Sequence, residues 1–444
     1  MADALFRSES RRELPLIQRG EGAYVYDGAG KRYFDATSGG VMVANIGHGV
    51  SEVADAMAAQ ARRLAFAFHG QVDNERALEL AARIVERAPD AMSNVFLVNT
   101  GSEATETAVK LARLYHLESA QPQRHKVIAR RHSYHGSGFG SIAISGGPQV
   151  RAGYEPYLFA CAQIPPAYCH RCPWGKTYPG CGLDCAEEIE AAILREGPQN
   201  VSCFIAEPVV GRSLGAAPAP AQYFARAREI CDRHGVLLII DEVVTGYGRL
   251  ARNFGIEHWG VTPDLMAIGK GIAGGYAPLA GVLMHRRIAD AIRAGSGRGP
   301  SGYTYAANPV SCAAALAVDA YLRRHRLIEN AGTLAACLIE ACRSLADHPL
   351  VSDVRGLGLL VGVELVADKA DRRSFAREQR AAETIAALAF ERGVWMLAGT
   401  GGQADGRGDY LVMAPPLVAS ASDVTQAVSA LAEALDAGAV ALRA

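Results

Sequence analysis

The chain has 444 residues, of which half are hydrophobic and a fifth are charged, and its formal net charge is −1. This composition is typical of a globular protein with two or three domains. A charge so close to zero does not favour nucleic acid or an anionic membrane surface as a partner. The longest apolar runs, such as Val236–Ile240 and Leu357–Val363, are too short to cross a bilayer. Ten cysteines and a charged segment over residues 1–14 predict a cytoplasmic protein with reduced thiols.

The first predicted element is a small hairpin around Asp27–Gly28, where apolar and polar residues alternate. Helical spacing follows over residues 51–64 and 75–88. From about residue 92 to 320, short apolar runs alternate with helical stretches. This α/β pattern predicts a mostly parallel central sheet with helices on both faces. Its strands are expected at Val95–Val98, Val127–Ile128, Phe204–Ile205, Val236–Ile240, Leu265–Ile268 and Ala280–Met284.

After about residue 325 the chain changes to long helices rich in Ala and Leu. One strand is expected within Gly356–Val366 and another at Tyr410–Met413. We interpret this part, together with the N-terminal hairpin, as a small α+β domain. The expected divisions are 1–65 and 326–444 for the two parts of the small domain and 66–325 for a large, cofactor-binding domain. No Gly/Ser linker separates the two domains, so they are expected to pack tightly.

The segment "NTGSEATETAVKLARLY" follows the first strand of the predicted sheet. In open α/β sheets the ligand lies beyond the carboxyl ends of the strands. Thr100 and Glu103 form a T-x-x-E capping box, which predicts a helix that begins near Gly101–Ser102. The free N–H groups of such a helix suit a phosphate, although an ordinary capped helix has the same sequence signature.

Two charged residues follow neighbouring strands. Asp241 ends an almost wholly apolar strand, where a buried carboxylate requires a cation. That cation could be Arg249, in a structural ion pair, or a protonated heterocyclic nitrogen. Lys270, between two glycines, follows 29 residues later, about one crossover, so both side chains are expected at one sheet edge. The alternative for Lys270 is a surface charge at a turn.

A third junction, "RRHSYHGSG", places Tyr134 and His135 at the same edge. Tyr134 could stack on a flat ring or be a plain core aromatic. An anion cradle, a buried carboxylate, an aromatic face and a lysine together fit pyridoxal 5′-phosphate. Its phosphate needs N–H donors, its pyridinium needs a counter-ion, and its aldehyde needs an amine, which Lys270 supplies as a Schiff base.

A longer set of motifs occurs in order between about residues 20 and 435: "NTGSEATETAVKLAR", "SYHG", "IAEPVVG", "LLIIDEVVTGYGR", "AIGKGIAGGYAPLAG", "GYTYAANPVSCAAAL" and "YLVMAPPLV". As a set they closely resemble the class III pyridoxal-phosphate aminotransferases, the family of ω-amino acid, ornithine, GABA and amine–pyruvate transaminases. The resemblance implies the fold-type I architecture and a homodimer with active sites at the subunit interface. It also implies a ping-pong transfer of an amino group from an amine or ω-amino acid to a keto acid such as pyruvate or 2-oxoglutarate.

By position, the resemblance makes Lys270 the Schiff-base lysine and Asp241 the partner of the pyridine nitrogen. The other implied cofactor-binding positions are Gly101 and Ser102 at the phosphate, Tyr134 and His135 beside the ring, Val243 on its other face, Glu207 near the cofactor, and Thr304 at the phosphate of the neighbouring subunit. In some members the glutamate at the Glu207 position pairs with a mobile arginine.

Carboxylate recognition is expected at an arginine shortly before Pro415–Pro416, where "AGTGGQADGRGDYLVMAPP" offers only Arg407. The usual position in amine–pyruvate relatives falls on Asp405, about two residues earlier. Arg407 would bind the carboxylate of a keto acid, and swing out or pair with Glu207 when the substrate has none. The alternative is a solvated loop arginine.

Cys169, Cys172, Cys181 and Cys185 form a C-x2-C-x8-C-x3-C pattern that could hold zinc or an iron–sulfur cluster. A chain of this size needs no metal for its core and the last spacing is not C-x2-C, so we expect reduced thiols and no metal. Two rival functions use the same sequence features. One is an aminomutase or racemase, and the other is a non-catalytic cofactor- or metal-binding scaffold, against which the Lys270–Asp241 pair argues.

Overall fold

A computed structural model describes residue 6, residues 14–402 and residues 407–442. The α-helices are α1 (Ser51–Arg63), α2 (Glu75–Arg87), α3 (Gly101–Glu118), α4 (Phe139–Ile144), α5 (Pro148–Arg151), α6 (Asp184–Glu196), α7 (Tyr223–His234), α8 (Arg286–Ala294), α9 (Pro309–Arg324), α10 (Leu327–Arg343), α11 (Ala381–Glu391) and α12 (Ala421–Ala441). The strands are β1 (Ile17–Glu21), β2 (Tyr24–Asp27), β3 (Arg32–Asp35), β4 (Met92–Val98), β5 (Lys126–Arg130), β6 (Ala162–Ile164), β7 (Val201–Ala206), β8 (Val209–Val210), β9 (Ala217–Pro218), β10 (Leu237–Asp241), β11 (Leu265–Ile268), β12 (Ala280–His285), β13 (Val351–Leu357), β14 (Leu360–Leu365), β15 (Val394–Trp395), β16 (Leu397–Thr400) and β17 (Asp409–Met413). Within these ranges, the helices are all too short or too polar to span a membrane.

The central sheet has seven strands in the order β4-β12-β11-β10-β7-β5-β6. All neighbours are parallel except β12, which runs antiparallel to both β11 and β4. Side chains alternate between two apolar layers: Leu237 and Ile239 pack with α3 and α8, whereas Leu238 and Ile240 pack with α2, α6 and α7. Burial on both faces explains why these strands read as continuous apolar runs. The predicted α/β fold and its six strands are confirmed.

Two four-stranded sheets lie outside the central one, in the orders β1-β2-β3-β15 and β13-β14-β17-β16. In the first of these sheets, β15 from the C-terminal part of the chain pairs with β3 from the N-terminal part, as expected for an α+β unit built from both ends. The strand expected within Gly356–Val366 is β14, but the sequence did not predict β13, which pairs with it in a hairpin. Gly358 turns the hairpin with φ +60°, and a Cβ at this position would lie 2.4 Å from Leu250 Cα. The domain boundaries stay a prediction.

The register of β10 and β11 sets the edge at which the site forms. Asp241 pairs with Ala267, so Asp241 and the residues just after β11 lie at the same end of two parallel strands. The crossover between them contains a short 3₁₀ turn, Gly255–Trp259, in place of the expected α-helix. Buried Glu242 organises this loop by accepting bonds from the amides of Gly255 (2.8 Å) and Ile256 (2.7 Å), and burial raises the pKa of Glu242 to about 7.

Buried Arg249 fastens both chain ends to the central sheet. It donates to Ser38 Oγ (2.8 Å), Leu359 O (3.1 Å) and Pro415 O (2.6 Å). These acceptors come from the N-terminal segment, the β13–β14 turn and the segment after β17. Hydrogen bonds from a charged donor are stronger than neutral ones, so this side chain holds three distant segments beside the ligand edge.

Candidate active site

Asp241 is 4% exposed at the end of β10, and its partner is His135. The His135 Nδ1–H group donates to Asp241 Oδ2 at 2.7 Å, and the amide of Val243 donates to Asp241 Oδ1 at 3.0 Å. The sequence alternative of an Asp241–Arg249 ion pair is therefore wrong, because Arg249 is used by Ser38 and two carbonyls. The structure thus brings Asp241, His135 and Val243 together, as the sequence predicted.

Glu207 lies on the far side of His135 and has fixed partners. Arg130, on β5, donates from Nη2 to Glu207 Oε2 at 3.0 Å and to the Glu207 carbonyl at 2.5 Å. The amide of Tyr134 donates to Glu207 Oε1 at 2.9 Å. Both carboxylate oxygens are thus engaged by main chain or by an immobile arginine, which sequence reasoning missed. No sequence pattern pairs Arg130 with Glu207.

These charges set the protonation of the buried imidazole. Burial lowers the pKa of His135, but the nearby charges of Glu207 and Asp241 outweigh burial and raise that pKa above its usual value. Burial also disfavours the charged form of Glu207, yet His135 and Arg130 lower the pKa of Glu207 below its usual value. The balance favours an imidazolium between two carboxylates.

Lys270 follows β11 at the same sheet edge and is half-buried. Burial is the main cause that lowers the pKa of Lys270 to about 8; the charge of Asp241 opposes this effect and the charge of Arg249 adds to it. Its backbone has φ +44°, a left-handed conformation that is costly for a residue with a side chain. An amine with this pKa is a far better nucleophile and base near neutral pH than an ordinary lysine.

The glycines beside Lys270 serve packing. A Cβ at Gly269 would lie 3.3 Å from Val243 Cγ1, and one at Gly271 would lie 2.9 Å from Asn45 Nδ2. The two glycines allow neighbouring side chains to close on both sides of the lysine.

The predicted phosphate cradle begins at Gly101, the first residue of α3. Thr100 Oγ1 accepts from the Glu103 amide at 3.2 Å, whereas the Glu103 carboxylate bonds Asn99, so only half of the expected capping box forms. A Cβ at Gly101 would lie 2.8 Å from Val243 Cγ1. Ser102 Oγ accepts from the Ser137 amide at 3.0 Å, which joins the helix start to the loop after Tyr134. The first-turn amides precede the helix's own hydrogen-bond ladder and are oriented for an anion.

The predicted residues at the rim are exposed in the protomer. Tyr134 is 47% exposed, and its hydroxyl lies 2.9 Å from Ser137 Oγ. Thr304 is exposed beside Tyr305, whose ring contacts Phe66 edge-on at 5.7 Å. Arg407 is exposed, and the alternative position Asp405 lies outside the described residues. The roles expected for these residues stay predictions.

Cys169, Cys172, Cys181 and Cys185 line one cavity together with Trp174 and Tyr178. All four are free thiols, and burial raises the pKa of Cys185 to about 12. In the described part of the chain, no three His, Cys, Asp or Glu side chains are grouped closely enough to hold a metal ion. The described residues therefore provide no set of ligands for the zinc ion or the iron–sulfur cluster that the cysteine spacing suggested.

The described residues fit pyridoxal 5′-phosphate. The close approach of Gly136 to Ser102, where a Cβ would lie 2.5 Å from Oγ, keeps the helix start tight against the loop that carries Tyr134 and His135. A buried carboxylate, an amine of lowered pKa and oriented amides then lie at one edge. These are the groups that the ring nitrogen, the aldehyde and the phosphate of this cofactor require.

Comparison with known proteins agrees with this arrangement. The family model for aminotransferase class III matches residues 6–435. The chain is 36% identical to diaminobutyrate–2-oxoglutarate transaminase of Halomonas elongata over 93% of this chain and 88% of that one. It is 33% identical to putrescine–pyruvate aminotransferase of Pseudomonas aeruginosa over 95% and 90%. Among solved structures, a PLP-bound amine transaminase from an uncultivated Pseudomonas species has a TM-score of 0.91 and 35% identity, covering 98% of each chain.

The lowered pKa of Lys270 predicts the pH at which its amine becomes reactive. In the cofactor-free protein, labelling of Lys270 by trinitrobenzenesulfonate, followed by peptide mass spectrometry, should be half-maximal near pH 8. Asp241→Asn should move this midpoint to lower pH, because the Asp241 charge favours the protonated amine. Exposed Lys369 in the same digest is the internal reference. A midpoint near the ordinary lysine value of about 10.4 would contradict the assignment.

Proposed function

Because the chain belongs to the class III aminotransferase family, whose members use pyridoxal 5′-phosphate, we propose that it transfers an amino group from an amine or ω-amino acid to a keto acid in two half-reactions. The observation that carries the proposal is the placement of Lys270, with its lowered pKa, at the same sheet edge as buried Asp241. An amine and a carboxylate so placed serve the two ends of the cofactor ring.

When bound, the cofactor supplies an aldehyde and an electron-accepting ring. Lys270 Nζ would hold the cofactor through its aldehyde, and, when free, the same amine would serve as the base and acid that moves a proton. Asp241 would accept a hydrogen bond from the ring nitrogen and keep that nitrogen protonated. His135 and the Val243 amide orient that carboxylate.

The remaining residues position the ring and phosphate. We assign the amides of Gly101 and Ser102 to the phosphate, since they lie in the first turn of α3. Val243 would contact one face of the ring and Tyr134 would stack on the other. The short approach of Val243 to Gly101 and Gly269 supports this placement, because a larger residue at either glycine would displace Val243.

Keto acids are the proposed amino acceptors. The relatives named for 2-oxoglutarate and for pyruvate support this class, and the amine transaminase structure supports amines as donors. We propose that Arg407, exposed on the chain between β16 and β17, binds the acceptor's carboxylate. Glu207 is already held by Arg130 and Tyr134, so this chain does not require a Glu207–Arg407 pair to satisfy that acid.

The active enzyme is proposed to be a homodimer in which Thr304 serves the partner's phosphate. Thr304 is exposed in the protomer and stands next to exposed aromatic side chains: Tyr305 is 64% exposed, Phe68 45% and Phe66 42%. A group of exposed aromatic residues is typical of a protein–protein interface. Burial of this group against a second copy would place Thr304 at the subunit boundary.

We also propose a cytoplasmic location. All ten cysteines are free thiols, which suits a reducing compartment. Cell fractionation tests the proposal, and enrichment of the native protein outside the cytoplasmic fraction would contradict it.

Lys270→Ala should abolish most amino transfer. The variant loses both the amine that binds the cofactor and the proton carrier, so we expect turnover to fall by at least ~10²–10⁴-fold. The measurement is formation of the amino acid from a keto acid with a panel of amines, which also separates transfer from isomerisation or racemisation. Lys369→Ala, at an exposed lysine, is the matched control. Turnover within about twofold of wild type would rule the mechanism out.

Arg407→Ala should weaken the use of keto acids and spare the half-reaction with amines that lack a carboxylate. Loss of a charged hydrogen-bond partner is expected to reduce kcat/KM for the keto acid about ten-fold or more. Single-turnover kinetics with each substrate alone measure the two half-reactions separately. Arg195→Ala, at an exposed arginine of α6, is the control. Equal losses on both substrate types would place carboxylate recognition elsewhere.

A mixture of protomers tests the shared site. Heterodimers of Lys270→Ala and Thr304→Ala subunits should regain activity above either parent, because one of the two composite sites then carries neither defect. The measurement is the specific activity of tag-purified heterodimers. Activity no greater than the average of the two parent homodimers would show that Thr304 serves its own subunit.

A further inference from the structure

Four buried charges of alternating sign lead from the interior of the large sheet to the ring-nitrogen position. Arg130 ends β5, Glu207 follows β7, His135 lies in the loop after β5, and Asp241 ends β10. They are 1%, 7%, 2% and 4% exposed, respectively. Of these, Asp241 is the member at the proposed cofactor ring, and Arg130 is the most distant.

Arg130 fixes Glu207 at two points. Its Nη2 group bonds both the carbonyl and Oε2 of Glu207, so the main chain and the side chain of that residue are held by one cation. The guanidinium is itself packed over buried Tyr223, 5.7 Å from the ring centroid. Without this cation Glu207 would be a buried carboxylate without a full counter-charge, which is costly.

The position of Glu207 determines how it acts on His135. Glu207 Oε2 lies 3.9 Å from His135 Nε2, beyond hydrogen-bond distance, and Nε2 has no bonding partner among the described residues. The other ring nitrogen bonds Asp241 at 2.7 Å. Glu207 therefore supports a positive charge on the imidazole without drawing the ring away from Asp241. The charged groups facing His135 are Asp241, Glu207 and Arg130.

We propose that Arg130 is a positioning residue for the reaction: by holding Glu207 at this distance, it keeps the His135 imidazolium bonded to Asp241. This inference rests on the role proposed above for Asp241 at the ring nitrogen. The charge of Arg130 itself disfavours a positive His135, so any support that Arg130 gives the imidazolium must pass through Glu207. Action through Glu207 distinguishes this role of Arg130 from a general electrostatic effect and from a purely structural role.

A double-mutant cycle tests the route. The variants are Arg130→Met, Glu207→Gln and the double substitution, with Arg131→Met at the exposed neighbouring arginine as matched control. Two quantities are measured: the dissociation constant of pyridoxal 5′-phosphate from the cofactor-free protein, by fluorescence, and the pH midpoint of the visible absorbance of the loaded enzyme. A change in folding alone would not move the pH midpoint.

Arg130→Met should weaken cofactor binding about ten-fold or more. It should also lower the pH midpoint of the visible absorbance by ~1 unit. Glu207→Gln should move the midpoint to lower pH, because it removes a negative charge that favours the imidazolium. In the Glu207→Gln background, Arg130→Met should change the dissociation constant less than about twofold and should not lower the midpoint, because the charge of Arg130 itself disfavours the imidazolium. Arg131→Met should leave both unchanged.

Two results would overturn the inference: no effect of Arg130→Met, or an equal effect of Arg130→Met in both backgrounds, which would make Arg130 an independent charge. If circular dichroism shows Arg130→Met unfolded, Arg130→Lys replaces it in the same cycle. Lysine keeps the charge and one donor, so its midpoint should lie between those of wild type and Glu207→Gln. An Arg130→Lys effect of the same size with and without Glu207→Gln would also overturn the proposal. Asp241→Asn tests the proposed role of Asp241 separately from that of Arg130. An unchanged midpoint in this variant would contradict the role of Asp241 at the ring nitrogen.

Discussion

The site is organised by one constraint, the burial of a carboxylate at the carboxyl end of a parallel strand. Asp241 is almost wholly shielded from water, so its charge requires donors and a cation close by. The Val243 amide and His135 supply them. His135 in turn needs its own charge supported, which Glu207 provides, and Arg130 supplies the counter-charge of Glu207. Each buried charge thus requires the next one as its counter-charge. The series ends at Arg130, which packs over the ring of Tyr223.

Much of this arrangement was predictable because parallel strands place their carboxyl ends at one edge. The polar residues that follow apolar runs, Asp241 and Lys270 among them, lie together for that reason. The hairpin of β13 and β14 was not predictable from the apolar pattern. Its turn depends on Gly358 lying against Leu250, a contact between segments far apart in sequence. The crossover after β10 forms a short 3₁₀ turn, in which buried Glu242 accepts hydrogen bonds from the amides of Gly255 and Ile256 in the same crossover.

The partner of Glu207 shows where sequence reasoning ends. Alternation along β5 places Ile128 in one apolar layer and Val127 and Ala129 in the other, so Arg130 falls on the side of Ile128. The alternation along the strand therefore predicts which layer Arg130 faces. No sequence pattern predicts which acidic residue forms an ion pair with it. A resemblance to a family supplied a mobile arginine as partner, and the side-chain geometry supplies a fixed one.

Lys270 concentrates the energetic cost of the site. Its amine is desolvated, its backbone adopts a left-handed conformation, and a second cation, Arg249, lies near enough to lower its pKa. Each of these is unfavourable for folding, and burial and the charge of Arg249 also make the amine more reactive because they lower its pKa. Arg249 connects the two effects, because the same side chain that disfavours a charged lysine also bonds Ser38, Leu359 and Pro415. The contacts that join the chain ends to the central sheet thereby offset a strain that lies beside them, and the reactivity of the lysine depends on that attachment.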